Sequence, residues 1–266
     1  MGMDKMKSTV SFSQLGKMGR LGNAMWQVSA LISYCNKHKK VPVIPNWEYL
    51  KYFKNLPAST ENIVVDKIYN EPHFHYSEIP YFEGNVDLRG YMQSPKYHEG
   101  INVQELFELK DEYKKQVDDL YAKINPKGLT AISCHVRRGD YLNESQLAYH
   151  GVLPYSYYED AMRRLCGNVA WDNLLFVVCS DDIKWCKENF PVRYRNYYFS
   201  EGEKDIVDLF LMAKCNDNIL ANSSFSYWAA LLNKNPDKKV IAPAKWFNNT
   251  PHCDTKDLYL PEMIVI

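Results

Sequence analysis

Leu174-Leu175-Phe176-Val177-Val178-Cys179-Ser180, followed by Asp181-Asp182, is the stretch from which the fold can be read. An apolar run of this length without polar alternation suits a strand covered on both faces, the habit of parallel sheets. Working outward, 129–136 reads as another strand, and 197–199, 218–221 and 240–242 as shorter ones. Helical patterns lie between them at 157–165, 182–188, 205–214 and 225–232. Strand and helix alternate, the order that builds a parallel, Rossmann-like sheet with crossover helices.

The first half repeats the rhythm less clearly. A strand is expected at 9–12, then a turn carrying Gly16, Gly19 and Gly22, then a helix over 23–37 with Met25, Val28, Ile32 and Cys35 at helical spacing. Strands are expected at 41–44, 63–65 and 86–92. The longest helical pattern, 103–124, carries Leu106, Phe107, Val117, Leu120, Tyr121 and Ile124 on one face and is stopped by Asn125-Pro126-Lys127-Gly128. That stop places the expected division between domains 1–125 and 126–266.

The chain has 266 residues, room for two domains, and 46% apolar with 24% charged residues is an ordinary globular balance. Lys plus Arg and Asp plus Glu are both 32, which argues against a general nucleic-acid binder or an electrostatic membrane binder. No run of 18 apolar residues suggests a membrane span, and 1–10 lacks the apolar core of a signal peptide. The seven cysteines are scattered, with no Cys-x-x-Cys pair, and read as reduced buried thiols of a cytoplasmic protein.

Four local features carry chemistry. His135-Val136-Arg137-Arg138-Gly139-Asp140 stands at the carboxyl end of a strand, where open α/β sheets bind ligands. Two adjacent arginines there call for an anion, and a diphosphate accepts paired guanidinium bonds; the plainer reading is a solvated surface turn. Gly19-Arg20-Leu21-Gly22-Asn23-Ala24-Met25 is either an anion-binding helix N-terminus or a tight turn, and is neither G-x-G-x-x-G nor a Walker loop. Ser180-Asp181-Asp182 reads as a helix cap rather than a metal site. Asn222-Ser223-Ser224-Phe225-Ser226 after a strand offers hydroxyls and N–H groups to an anion, or only caps a helix. His73, His75, His98 and His150 read as surface histidines, and no zinc site is expected.

Taken in order, these blocks resemble the bacterial-type α1,2-fucosyltransferases, glycosyltransferase family 11. The segment from Gly19 to Gln27 is similar to the family's Gly-Gly-Leu-Gly-Asn-Gln-Met-Phe-Gln, with Arg20 and Ala24 departing from it. Gly90-Tyr91-Met92-Gln93-Ser94 resembles a second block, and His135 to Asp140 the shared H-x-R-R-x-D motif. Ser180-Asp181-Asp182 with Trp185-Cys186, then Asn222 to Trp228, Pro243 and Lys245-Trp246-Phe247, resemble the remaining ones.

The resemblance implies an α/β fold of GT-B type, two Rossmann-like domains facing a central cleft. It implies GDP-β-L-fucose as donor on 126–266, an acceptor on 1–125, inversion, and neither metal nor cofactor. Arg137 would hold the β-phosphate with Arg138 in support, and His135 would face the nucleotide. Asp208 would accept from guanine, Ser223 and Ser224 would bind phosphate, and Asp181 would join this set. Gly22 and Asn23 would close the cleft, and Asp140 would be the base. The acceptor implied is a terminal β-galactoside of an oligosaccharide or polysaccharide precursor. The enzyme would be cytoplasmic, or peripheral to the inner membrane where the acceptor is lipid-linked. A fucosyltransferase of other regiochemistry, and a non-catalytic nucleotide-sugar or glycan-binding module, are the alternatives.

Overall fold

The computed structural model describes residues 8–167, 169–190, 196–248, 250 and 252–266. The chain forms two compact units, 1–110 with 252–259, and 111–251 with 260–266.

The first unit contains β1 (Thr9–Ser11), α1 (Leu21–His38), β2 (Val41–Val43), β3 (Lys67–Asn70), β4 (Val86–Arg89) and the single turn α2 (Val103–Leu106). Its strands form one parallel sheet in the order β2-β1-β4-β3. Asp87 is fully buried on β4 and accepts from Ser11 Oγ at 2.8 Å and from Ser13 N and Oγ at 2.7 Å each. These bonds tie β4 to the end of β1 and satisfy a carboxylate that would otherwise be costly to bury. α1 buries Leu21, Met25, Trp26, Val28 and Leu31, and ends on Lys39 in the left-handed region at φ 55°. The segment 252–259 completes the unit through Asp257, which accepts from Tyr76 N at 3.2 Å and pairs with Lys96 at 2.6 Å. The Asp257 carbonyl accepts from Ser94 Oγ at 2.8 Å.

The second unit contains α3 (Asp111–Ile124), β5 (Thr130–Val136), α4 (Glu144–Tyr149), α5 (Tyr155–Cys166), β6 (Leu174–Ser180), α6 (Ile183–Asn189), β7 (Tyr197–Phe199), α7 (Asp205–Ala213), β8 (Asp217–Ile219), α8 (Ser224–Leu232), β9 (Val240–Ala242) and β10 (Ile264–Val265). Its parallel sheet runs β10-β9-β8-β5-β6-β7. The chain therefore builds outward from β5 to one edge, then returns to β5 and builds toward the other. The reversal lies between β5 and β8, the switch point beside which such sheets bind ligands. Buried Asn218 on β8 donates to Ser133 Oγ of β5 at 2.7 Å and to the Met212 carbonyl of α7 at 2.9 Å, fixing the two strands in register.

Two largely parallel sheets flanked by helices match the expected α/β fold class, GT-B-like with two Rossmann-like domains. Several details differ. The expected helix 103–124 is interrupted at 107–110, because Lys54 N and Lys110 N bond across to Glu108 and Tyr52 carbonyls and Phe53 bridges Leu109. Phe107 and Leu109 are buried by that turn. Tertiary packing outweighs helix pattern there. α3 consequently falls in the second unit, where Asp118 pairs with Lys214 beside α7 at 2.7 Å, so the units divide at 110/111 rather than at 125/126. The strand expected at 63–65 forms instead at β3, while Val64 and Val65 are exposed. All seven cysteines are free thiols, six of them buried. Among the described residues no helix is long and apolar enough to cross a membrane.

Candidate functional site

β5 ends at the switch point and delivers Arg137 and Arg138 into the turn that follows. Asp181, just past β6, organises that turn. Its Oδ1 accepts from Arg138 N at 2.8 Å and Gly139 N at 3.0 Å, and its Oδ2 pairs with Arg137 Nη1 at 2.6 Å. A Cβ on Gly139 would lie 2.6 Å from Asp181 Oδ2, so the close approach requires glycine. Asp140 pairs with Arg137 Nη2 at 2.5 Å. Arg138 lies over the Trp185 ring at 4.0 Å and bonds Asp182 at 3.2 Å. Asp182 also caps α6 by accepting from Trp185 N.

The arginine pair is thus no bare basic patch. Its two positive charges meet Asp140, Asp181 and Asp182, so the anion that adjacent arginines call for is already supplied from within the chain. A guanidinium carries five N–H donors, however, and the two carboxylates reach one each of Nη1 and Nη2 on Arg137.

A stack of rings backs this turn. Arg137 lies 5.0 Å from the Tyr141 ring centroid, and His150 stacks on Tyr141 at 4.3 Å with an interplanar angle of 4°. Tyr141 Oη donates to the Asn222 carbonyl at 3.3 Å, while Asn222 Nδ2 donates to the His150 carbonyl at 2.9 Å and the Trp246 carbonyl at 3.2 Å. The loops after β5 and β8 are joined by these bonds. Sequence reasoning missed Tyr141 and Asn222 in this role because neither packing partner is near in sequence. His150 is not the surface side chain expected: burial first, then Arg137, pulls its imidazole down to about 4. His98 is likewise buried, against Trp26 at 4.5 Å, and burial lowers it to about 3.

His135 is buried beside Phe225, 5.2 Å between rings, and burial with Arg137 nearby lowers it to about 3. Its Nδ1 and the Oδ1 of Asn222 are buried without a hydrogen-bond partner among the described residues. Both belong to the two strand ends that flank the switch point. Ser223 caps α8 by accepting from Phe225 N at 3.3 Å, and Ser224 begins the helix. A helix N-terminus with its N–H groups therefore accompanies the guanidinium. Asp208, in the first turn of α7, accepts from Ser200 Oγ at 2.5 Å, and burial pushes it up to about 6. Gly22 and Asn23 lie in the first unit, where Asn23 Oδ1 accepts from Gln93 Nε2 at 2.8 Å. Among the described residues no group of three or more His, Cys, Asp or Glu side chains is placed to hold a metal ion.

The sequence pattern of the family described as glycosyl transferase family 11 matches residues 3–266. The chain is 41% identical over 148 residues to the O-antigen biosynthesis glycosyltransferase WbnK of Escherichia coli, covering 53% of this chain and 48% of the relative. It is 35% identical over 182 residues to an alpha-1,2-colitosyltransferase of Escherichia coli, covering 62% and 57%. It is 27% identical over 240 residues to galactoside alpha-(1,2)-fucosyltransferase 2 of Oryctolagus cuniculus, covering 82% and 66%. The chain thus spans about half the length of the first two relatives. Among solved structures, POFUT1 in its apo form superposes with a TM-score of 0.60 at 12% identity, covering 90% of this chain and 99% of that one, a likeness of fold.

Proposed function

This chain belongs to glycosyl transferase family 11, and we propose that it transfers L-fucose from GDP-β-L-fucose to O2 of a terminal β-galactoside, with inversion and without a metal. One observation carries the reading: Arg137 stands at the carboxyl end of β5, at the switch point, with the N-terminus of α8 following the neighbouring strand β8. The fucosyltransferase and colitosyltransferase relatives, both α1,2, support the regiochemistry.

Cleaving the C1–O bond builds negative charge on the departing diphosphate. In this reading Arg137 meets that charge with its remaining N–H donors, aided by backbone N–H groups at Ser223 and Ser224. Arg138, fixed on Trp185, supports the turn, and Asp181 is a positioning residue. His135 offers a neutral imidazole to the nucleotide, and Asp208 accepts from the guanine N–H edge as a carboxylate. Asp140 leaves Arg137 when phosphate arrives and takes the proton of the acceptor hydroxyl. The second unit carries the donor and the first unit the acceptor, with Gly22 and Asn23 contributing from the first. The free thiols support a cytoplasmic setting.

Incubation with GDP-fucose and lactose in excess EDTA, followed by mass and linkage analysis, tests the proposal. An α1,2-fucosylated lactose is expected; transfer only after a divalent ion is restored would overturn metal independence. The colitosyl relative favours a second reading, in which the donor sugar is colitose. Competition between GDP-fucose and GDP-colitose for one acceptor separates the two.

A further inference from the structure

The first unit holds a cavity of about 460 Å³ that the proposed transfer does not use. One wall is a single face of α1, made by Ala30, Ser33, Tyr34 and Lys37, with Asn36 at its edge. The opposite walls are the segments around Tyr76–Ile79 and Lys96–Gly100. The volume falls in the range of small-ligand sites. Asn36 is 13 residues beyond Asn23, which is about 20 Å along the helix axis, so the cavity lies at the other end of α1 from the Gly22–Asn23 turn.

Its chemistry selects a ligand class. Tyr76 brings a half-buried ring to the cavity, the buried Tyr97 ring lies against it at 4.8 Å, and buried Tyr34 lines the α1 wall. Two of these rings are held rigidly: Tyr34 Oη donates to the Pro80 carbonyl at 3.0 Å, and Tyr97 Oη accepts from Ser77 N at 3.1 Å. Rigid walls lower the entropic cost of binding. Both lysines are already neutralised, Lys37 by Glu78 at 2.8 Å and Lys96 by Asp257 at 2.6 Å, so the cavity is no anion trap. The side chains of Asn36 and Glu99 carry no hydrogen bond among the described residues, which leaves a carboxamide and a carboxylate for a ligand's hydroxyls. A tyrosine-lined wall beside unused planar polar groups, with balanced charge, suits a neutral saccharide.

We propose that this cavity is a second saccharide subsite, which holds a part of the acceptor glycan remote from the hydroxyl that receives the sugar. The proposal rests on the glycan-modifying reading above. It predicts that a long acceptor gains affinity here and lactose, too short to reach it, does not.

Two measurements test it, with the neutral tetrasaccharide lacto-N-neotetraose as probe. Hydrogen–deuterium exchange should slow in peptides covering 30–37 and 95–100, in the wild type and equally in Arg137→Ala, which separates binding from transfer. Asn36→Trp fills the cavity from an exposed helical position, and Tyr76→Ala removes a ring; both should abolish that protection. In steady-state assays Asn36→Trp should raise KM for the tetrasaccharide roughly three- to tenfold, the loss of about one aromatic contact, with kcat and the KM for lactose unchanged. Absence of protection in both segments, or protection that survives both substitutions, overturns the subsite. If no acceptor is fucosylated but Asn36→Trp still abolishes protection, the transfer reading fails and the subsite stands.

Discussion

Asp181 holds Arg137 by one oxygen and the backbone of the next two residues by the other. One carboxylate therefore sets both the direction of the guanidinium and the shape of the turn that bears it. Arg137→Ala should lower kcat by about 10²–10³-fold, the usual cost of losing one pre-aimed donor to a developing oxyanion. Gly139→Ala should produce a large part of that loss without touching Arg137, because the added Cβ displaces the Asp181 carboxylate. Steady-state kinetics of both variants on GDP-fucose and lactose check this, and a Gly139→Ala enzyme of normal kcat would contradict the positioning role.

Asp140 and Asp181 share Arg137, but their expected kinetics differ. Asp140→Asn should lower kcat while GDP affinity holds, since in the proposed cycle this carboxylate has left the guanidinium by the time the acceptor reacts. Calorimetry with GDP beside turnover measurements distinguishes the cases. Near-normal turnover in Asp140→Asn would remove it as the base.

GDP binding should weaken as pH falls below about 6. Burial pushes the Asp208 carboxyl up to about 6, and only its ionised form accepts from both guanine N–H groups. Asp208→Asn should bind GDP weakly with a flat profile across the same range. Calorimetric titration between pH 5 and pH 8, values bracketing the midpoint by about one to two units, provides the comparison.

Fold stability should also depend on acid, through other groups. Burial lowers His135 to about 3 and His150 to about 4, against about 6.5 in an unfolded chain. Between those values the unfolded chain binds protons that the fold refuses, so stability rises with pH there. The stability present above about 6.5 is lost progressively as pH falls toward the folded values. Urea midpoints measured from pH 7 down to pH 4, about the span between the two states, should fall, and His150→Phe should flatten part of the slope.

Gly19→Ala should destabilise the first unit by about 1–3 kcal/mol. Gly19 has φ +84°, and a Cβ there would lie 2.0 Å from Asn23 Nδ2. Thermal unfolding compared with that of Gly128→Ala, where φ is +64° and nothing lies within 4 Å of the added carbon, isolates the steric part.

The second sheet was legible in the sequence because 174–180 is apolar along nearly its whole length and strand–helix alternation continues on both sides of it; 130–136, though it carries Thr130, Ser133 and His135, is buried almost throughout. β3 was not, because Lys67-Ile68-Tyr69-Asn70 is mostly exposed and gains its strand conformation from pairing with β4. β10 is two exposed residues defined only by β9. At the candidate site Arg137, Arg138, Asp140 and Asp181 meet because they follow the neighbouring strands β5 and β6, an adjacency that local pattern does not give. The pairing of Asp181 and Asp182 with the two arginines was not legible, since it depends on side-chain direction across a sequence separation of 44 residues. Nor was the Tyr141–His150 stack, which local pattern does not encode.

The first unit's return segment, with Asp257 fastening Tyr76, Ser94 and Lys96, also bears on biosynthesis. A ribosome completes residues 1–110 long before it supplies 252–259, and β5 through β9 emerge in the interval. The earlier unit must therefore wait, unfastened, while the later one acquires most of its sheet. Order of synthesis and order of completion are inverted in this chain, and a fragment ending at residue 110 would be missing its own clasp.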